Sequence, residues 1–426
     1  MQFENTQHFA RVLDNQDEIK DFRNEFVIPV KEGKEQVYFL GNSLGLQPKQ
    51  TALYIQHILN DWGTNGVESF FTGNDPWMHY HDHLTTTLSI LLGTKTSEVV
   101  VMNNLTVNLH LMMVSFYRPQ GKKNKILCEA KAFPSDQYML ESHVRYHGFR
   151  PEETIIEVAP RVGEHCLRTG DILARIEEHR EDLALILFGG VNYYTGEVMD
   201  IKAITEAGHN AGARVGFDLA HAVGNISLQL HNWDVDFACW CNYKYLNSGP
   251  GAIGGAYIHE RYHTDADINR FAGWWGYKKE TRFKMEKGFL PITSAEGWQL
   301  STPPLTLLAA HRSALDIIKK AGWENIQQKA KRLTAYLWFV LKEINASQKE
   351  KIIEFITPEG ENKHGCQISL LMLQKGKEVY EQLMKKGVYV DWREPNVIRL
   401  APVPLYNTFE EVWKFGNILH SVLQGN

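Results

Sequence analysis

Seven short apolar runs punctuate the chain between residues 98 and 259: EVVVM (98–102), KILCE (125–129), TIIEV (154–158), LALILF (183–188), RVGFD (214–218), DFACWC (236–241) and GAYIH (255–259). They are nearly continuous rather than alternating, which is the pattern of strands buried on both faces. Between them lie stretches with helical spacing, such as DILARIEEHR from Asp171 and DIKAITEAGHNAG from Asp200, each opening on an acid of the N-cap type. This alternation predicts an α/β fold with a mostly parallel seven-stranded sheet flanked by helices, whose ligands bind at the carboxyl ends of the strands.

After residue 303 the pattern changes. PPLTLLAAHRSALDIIKKAG and ENIQQKAKRLTAYLWFVLKEI read as two long amphipathic helices, the first opened by Pro303 and Pro304 and closed near Gly322. The strand-like QISLLML, the helical EVYEQLMKKG and the strand-like VIRLAPV then predict a smaller α+β unit. The expected division is a large domain over 45–300 and a small domain made of 1–44 and 301–426.

Composition narrows the ligand class. Acidic residues (50) outnumber Lys and Arg (45) for a net charge of -5, so nothing in the balance points to nucleic acid. The five cysteines are odd in number and no pair has zinc-site spacing, which predicts reduced thiols and no metal. No apolar run reaches the 18 or so residues of a membrane span, and the N-terminus has neither a signal nor a transit pattern. Cytoplasmic location and a small-molecule ligand are the expectations.

Two residues carry the chemistry. Asp218 ends the run RVGFD, at the carboxyl edge of the sheet, and Lys244 stands just past the run DFACWC in NYKYLNSGPG, so both would open on one crevice. A lysine that carries a cofactor covalently and an aspartate that holds a pyridinium nitrogen are the pair that pyridoxal 5'-phosphate chemistry requires. Alone, Lys244 reads as a solvated lysine and Asp218 as a helix cap before LAHAVG; together, at two strand ends, they read as a cofactor site. His221, three residues on, would lie near the same crevice. Leu105 and Thr106 head the helical run after EVVVM, where backbone N–H groups and a hydroxyl suit a phosphate. Phe133 and Asp136, after KILCE, could stack on a ring or approach it, or serve as core and cap.

The chain resembles the kynureninase family of fold-type I pyridoxal phosphate enzymes. The resemblance rests on FLGNSLGLQP (39–48), NNLTVNLHLMM, EAKAFPSDQY, GGVNYYTGE (189–197), GFDLAHAVGN (216–225), CNYKYLNSGPG (241–251), GWWGYKKETRFKM (273–285), STPP (301–304) and IRLAPVPLYNTFEEV (398–412). It implies hydrolysis of L-kynurenine to anthranilate and L-alanine in tryptophan catabolism or NAD biosynthesis, with 3-hydroxykynurenine the alternative substrate. It further implies that Lys244 anchors the cofactor, Asp218 partners the ring nitrogen, and Tyr243 contacts the phosphate and assists proton transfer. Leu105 and Thr106 would hold the phosphate, and Phe133 the ring, with Pro134, Ser135, Asp136 and His221 around it. Trp274 and Thr302 would reach the phosphate from the partner subunit of a homodimer, and Arg399 would bind the substrate α-carboxylate. An arginine in the strand-like VIRLAPV needs an anion in any case, either a ligand carboxylate or a structural ion-pair partner.

Two departures stand out. Some members carry Ser or Pro in the segment where this chain has FGGVNYYTG, so Gly189 offers the cofactor no hydroxyl and is not counted with the site, and Phe70 and Phe71 occupy the region where animal members place a histidine near the substrate ring. A cysteine desulfurase or aminotransferase of the same fold is the competing enzyme class, with Cys366 as the candidate nucleophile. A cofactor-binding relative without activity is the non-enzymatic one; it would be favoured by loss of the lysine or aspartate, and both are present.

Overall fold

The computed structural model describes residues 2–425. All seven apolar runs form strands: β1 (Val99–Val101), β2 (Lys125–Glu129), β3 (Ile155–Val158), β4 (Leu183–Gly189), β5 (Arg214–Asp218), β6 (Phe237–Cys241) and β7 (Gly254–Ile258). They join in one sheet in the order β1, β7, β6, β5, β4, β2, β3. The strands β3, β2, β4, β5 and β6 run parallel, whereas β7 is antiparallel to both of its neighbours.

Residue parity sorts the strands between two cores, as a period of two demands. Leu127, Ile186, Phe188, Val215, Phe217 and Trp240 pack with the helices Asp82–Leu92, Thr169–Glu178 and Ile201–Asn210. Ile126, Cys128, Leu185, Leu187, Phe237 and Cys239 pack on the other side with the helices Leu105–Phe116 and Pro134–Tyr146. Asp218 is register-paired with Cys239 and therefore shares the second side, facing the helix that starts at Pro134. Position 216, on that same side, has room only for glycine, since a Cβ there would come within 2.1 Å of the Phe237 ring.

The helix ends divide the sequence expectations. Asp200 caps as expected, its Oδ1 accepting from the Ala203 N–H at 3.1 Å. Asp171 does not. The helix begins at Thr169, and Asp171 instead receives both Nε and Nη2 of Arg161, at 2.8 and 2.7 Å. A bidentate guanidinium outcompetes the cap.

A second sheet comprises β8 (Ile353–Phe355), β9 (Ile368–Met372), β10 (Asp391–Arg393) and β11 (Val397–Leu400), antiparallel in the order β8, β9, β11, β10. Ile368, Leu370, Ile398 and Leu400 point into a core shared with the helices Trp323–Ala346 and Phe409–Leu423. Ser369 and Arg399, paired across β9 and β11, rise from the opposite face. Ala10, Leu13, Val37 and Phe39 join that core, and Val37–Tyr38 pairs in parallel with Val388–Tyr389. The helix Leu305–Ala321, expected with the small domain, sends Leu308, Leu315 and Ile318 into the large-sheet core, because its apolar stripe meets the helices Thr51–Asn65 and Asp82–Leu92.

Candidate active site

A cavity of about 420 Å³ opens at the carboxyl ends of β2, β4, β5 and β6. Its wall is built by the turns that leave those strands. After β1, Asn103 adopts a left-handed φ of 46°, which Asn tolerates, and turns the chain into the helix Leu105–Phe116. Asn104 caps that helix, accepting from the Val107 N–H at 3.3 Å, and Leu105 and Thr106 line the cavity behind it. The approach depends on Gly254: a Cβ there would lie 3.1 Å from the backbone of Asn104 and of Leu105.

Lys244 lies in the loop after β6, partly buried, its Nζ 3.0 Å from Nε2 of His221. Burial and the neighbouring lysine push the His221 pKa well down, so the imidazole is neutral. With Nε2 turned to the lysine, its proton belongs on Nδ1, and Nδ1 is buried without a protein partner. Asp218 ends β5, buried, and its Oδ1 accepts from the Ala220 N–H at 2.8 Å, closing a turn rather than capping a helix.

Asp136, in the first turn of the helix Pro134–Tyr146, is buried beside Asp218. Burial and the second carboxylate drive its pKa well above the ordinary range. Burial also raises Asp218, against the pull of Lys244. Glu129, at the end of β2, is a third buried carboxyl on the wall; its oxygens accept from the Gly189 N–H at 3.0 Å and from Asn192 Nδ2 at 2.7 Å. The cavity is therefore polarised, with carboxyl groups at one end and helix N–H groups at the other.

Ser135, Phe133 and Tyr243 also line it. Phe133 meets Tyr193 edge-on at 5.4 Å, and burial raises the phenol pKa of Tyr243. Pro134 is exposed at the first turn of its helix and off the wall. Trp274, 43% exposed, and Thr302, also exposed, lie away from the cavity. Arg399 is buried one layer behind the wall, donating to the Tyr193 carbonyl at 2.5 Å and to Asp391 Oδ2. Phe70 packs on Trp77 at 5.1 Å, and Phe71 on Phe283 at 5.6 Å, and neither lines the cavity.

Kynureninase of Flavobacterium psychrophilum is 54% identical over 419 residues, covering 98% of each chain. The chain belongs to the kynureninase family. The kynureninase of Nematostella vectensis is 44% identical, over 98% of this chain and 94% of its own. The family's C-terminal domain matches residues 326–419. Among solved structures, the cysteine desulfurase of Thermococcus onnurineus NA1 superposes with a TM-score of 0.75 at 17% identity, covering 96% of this chain and 98% of that one. A structure of the cystine C-S lyase C-DES, with glycine linked to its PLP cofactor, gives 0.74 at 15%, covering 90% and 96%. These two share the fold: mainly parallel sheet, flanking helices and a smaller C-terminal unit.

Kynureninases are pyridoxal phosphate-dependent hydrolases, and the cavity fits that cofactor. The unpartnered Asp136 Oδ1 and the opposed Asp136 and Asp218 carboxyls suit a protonated ring nitrogen. The close approach at Gly254 exposes a helix N-terminus to a phosphate. Sequence reasoning missed Glu129, Tyr193 and Asn104 as wall residues. Glu129 was open to the rule that found Asp218, a carboxylate ending a buried strand, while Tyr193 lay inside a recognised segment without chemistry of its own. Gly189, set aside for lacking a hydroxyl, lies on the wall and gives its N–H to Glu129.

Proposed function

We propose that this kynureninase hydrolyses L-kynurenine, or its 3-hydroxy derivative, at the bond between Cβ and Cγ, releasing L-alanine and anthranilate or its 3-hydroxy form. The carrying observation is Lys244 beside a neutral His221, opposite Asp218, in one polarised cavity. Pyridoxal phosphate, when bound, supplies the electron sink for the carbon-carbon cleavage. Lys244 would anchor it and would move a proton at the substrate α-carbon. Asp218, buried beside Asp136, keeps the ring nitrogen protonated. Leu105, Thr106 and Tyr243 hold the phosphate, and Tyr243, whose raised pKa keeps it a phenol, donates a proton during turnover. Phe133 covers the ring, with Pro134, Ser135 and Asp136 holding that loop. Arg399 orients the substrate through its α-carboxylate.

The enzyme works as a homodimer in which Trp274 and Thr302 enter the partner's site. An exposed aromatic group of Phe71, Trp274 and Phe283 supports this reading, since such a patch is expected to be covered. Five unpaired thiols are in keeping with a reducing cytoplasm. Among the described residues no helix is long and apolar enough to cross a membrane. Desulfuration is disfavoured because Cys366 is buried, its thiol pKa raised to about 12 by that burial, and its N–H is tied to Asn225 at 2.8 Å.

Purified enzyme loaded with cofactor should release equimolar alanine and anthranilate from L-kynurenine and no sulfide from cysteine. Sulfide release without anthranilate would sink the proposal. The ratio of kcat/KM for the two kynurenines fixes the ring preference.

A further inference from the structure

We propose, resting on the reading of Arg399 as the carboxylate anchor, that Arg393 is the second arm of that anchor and sets the demand for a free α-carboxylate. Asp391 pairs with Arg399 across β10 and β11, and Arg393 follows two residues later, so all three side chains rise from the same face of the small sheet. Asp391 Oδ2 accepts from Arg399 Nη2 and lies 3.4 Å from Arg393 Nη2. One carboxylate thus serves two guanidinium groups.

That triad carries a net positive charge in a poor place to hold one. Arg399 is 1% exposed and Asp391 10%, while Arg393 keeps 39% of its side chain in solvent and buries its Nε. Asp391 is the carboxylate that pairs with Arg399, while the charge of Arg393 opposes it. A buried guanidinium whose one carboxylate is shared with a second arginine is expected to take a further anion from outside.

The donors for it are in place. Nε of Arg399, Nε of Arg393, the hydroxyl of Tyr245 and Nδ1 of His221 are all buried with no partner. Asp391 holds the two guanidinium groups together, and their charge bears on His221, as that of Arg399 does on Tyr245. A carboxylate offers about four acceptor sites, which matches these donors in number. An amide or ester at the same position brings no charge and would leave the cluster unbalanced.

The test titrates the cofactor-loaded enzyme with L-alanine and with L-alaninamide, following the visible absorption of the cofactor. Arg393→Gln is expected to weaken L-alanine binding about 10- to 100-fold and to leave alaninamide within about 2-fold, the loss of one charge-assisted contact. Arg393→Lys should recover part of the loss. In turnover the same factor should appear in KM, with kcat nearly unchanged. If Arg393→Gln binds L-alanine as the wild type does while Arg399→Gln fails to, Arg393 has no such role and the reading of Arg399 survives. If both bind as wild type, both assignments fall. Equal losses for alanine and its amide would mark Arg393 as merely structural and overturn the proposal.

Discussion

Lys244 owes its usefulness to neighbours that decide where protons sit. His221 is held neutral by burial, so it can face the lysine nitrogen at 3.0 Å without a like-charge clash. Lys244→Ala should lower kcat by about 10³-fold or more, because anchor and base are lost together; full turnover would remove the catalytic assignment. Asp218→Asn and Asp136→Asn should separate by size. The first loses the charge that holds the ring proton and should cost about 10³-fold in kcat, whereas the second keeps a hydrogen-bonding group beside it and should cost about 10-fold. Equal effects would mean that the two carboxyls act as one unit. Lys244 and Asp218 were legible in sequence because each follows a buried strand, whereas Tyr193 matters through its backbone carbonyl, which any residue could supply. Arg399 was legible as a buried cation in want of an anion. The structural ion pair to Asp391, weighed as the alternative, is present, and the two roles coexist because Asp391 is shared.

At the scale of elements, the seven strands were readable because their apolar runs are short and bounded; the ends of helices were not, because caps compete with ion pairs, as Asp171 shows. Gly254 turns one contact into a test. Ala at this position would push on the helix Leu105–Phe116, and Gly254→Ala should weaken cofactor binding about 10-fold while costing about 1–3 kcal/mol of stability by overpacking; unchanged cofactor affinity in a dialysis titration would show that the helix end does not hold the phosphate. Glu197 tests the seam between the two sheets. It bridges to His364 through the backbone, and burial raises its carboxyl pKa to about 7. A carboxyl raised in the folded state stays protonated there after the unfolded chain has released its proton. Its contribution is therefore full below the unfolded value near 4.5 and is lost as pH climbs towards 7, by an amount on the order of 1–3 kcal/mol. Thermal melts from pH 5 to 7 should show a falling Tm that flattens in Glu197→Gln; parallel slopes would contradict this.

The whole molecule poses the question of what one chain lacks. Trp274 and Thr302 lie off the cavity of their own chain. If they complete the partner's site, Lys244→Ala and Trp274→Ala homodimers should both be weak, and a mixture refolded together should regain about a quarter of wild-type activity per chain, from the one intact site in each mixed dimer. No regain, or full activity in a sedimenting monomer, would refute the shared site. This level was the least legible from sequence, since the two residues stand in ordinary loops and only family likeness singled them out.

The single reversed strand has a consequence for biosynthesis. β1 finds its sheet partner only in β7, and the helix that follows β1 leans on Gly254 of that same late strand. A ribosome must therefore pass residue 258 before the phosphate end of the cavity can close, and Val37–Tyr38 must wait still longer for Val388–Tyr389. Cofactor loading must thus wait for this late strand, and a nascent chain stalled before residue 258 should bind none.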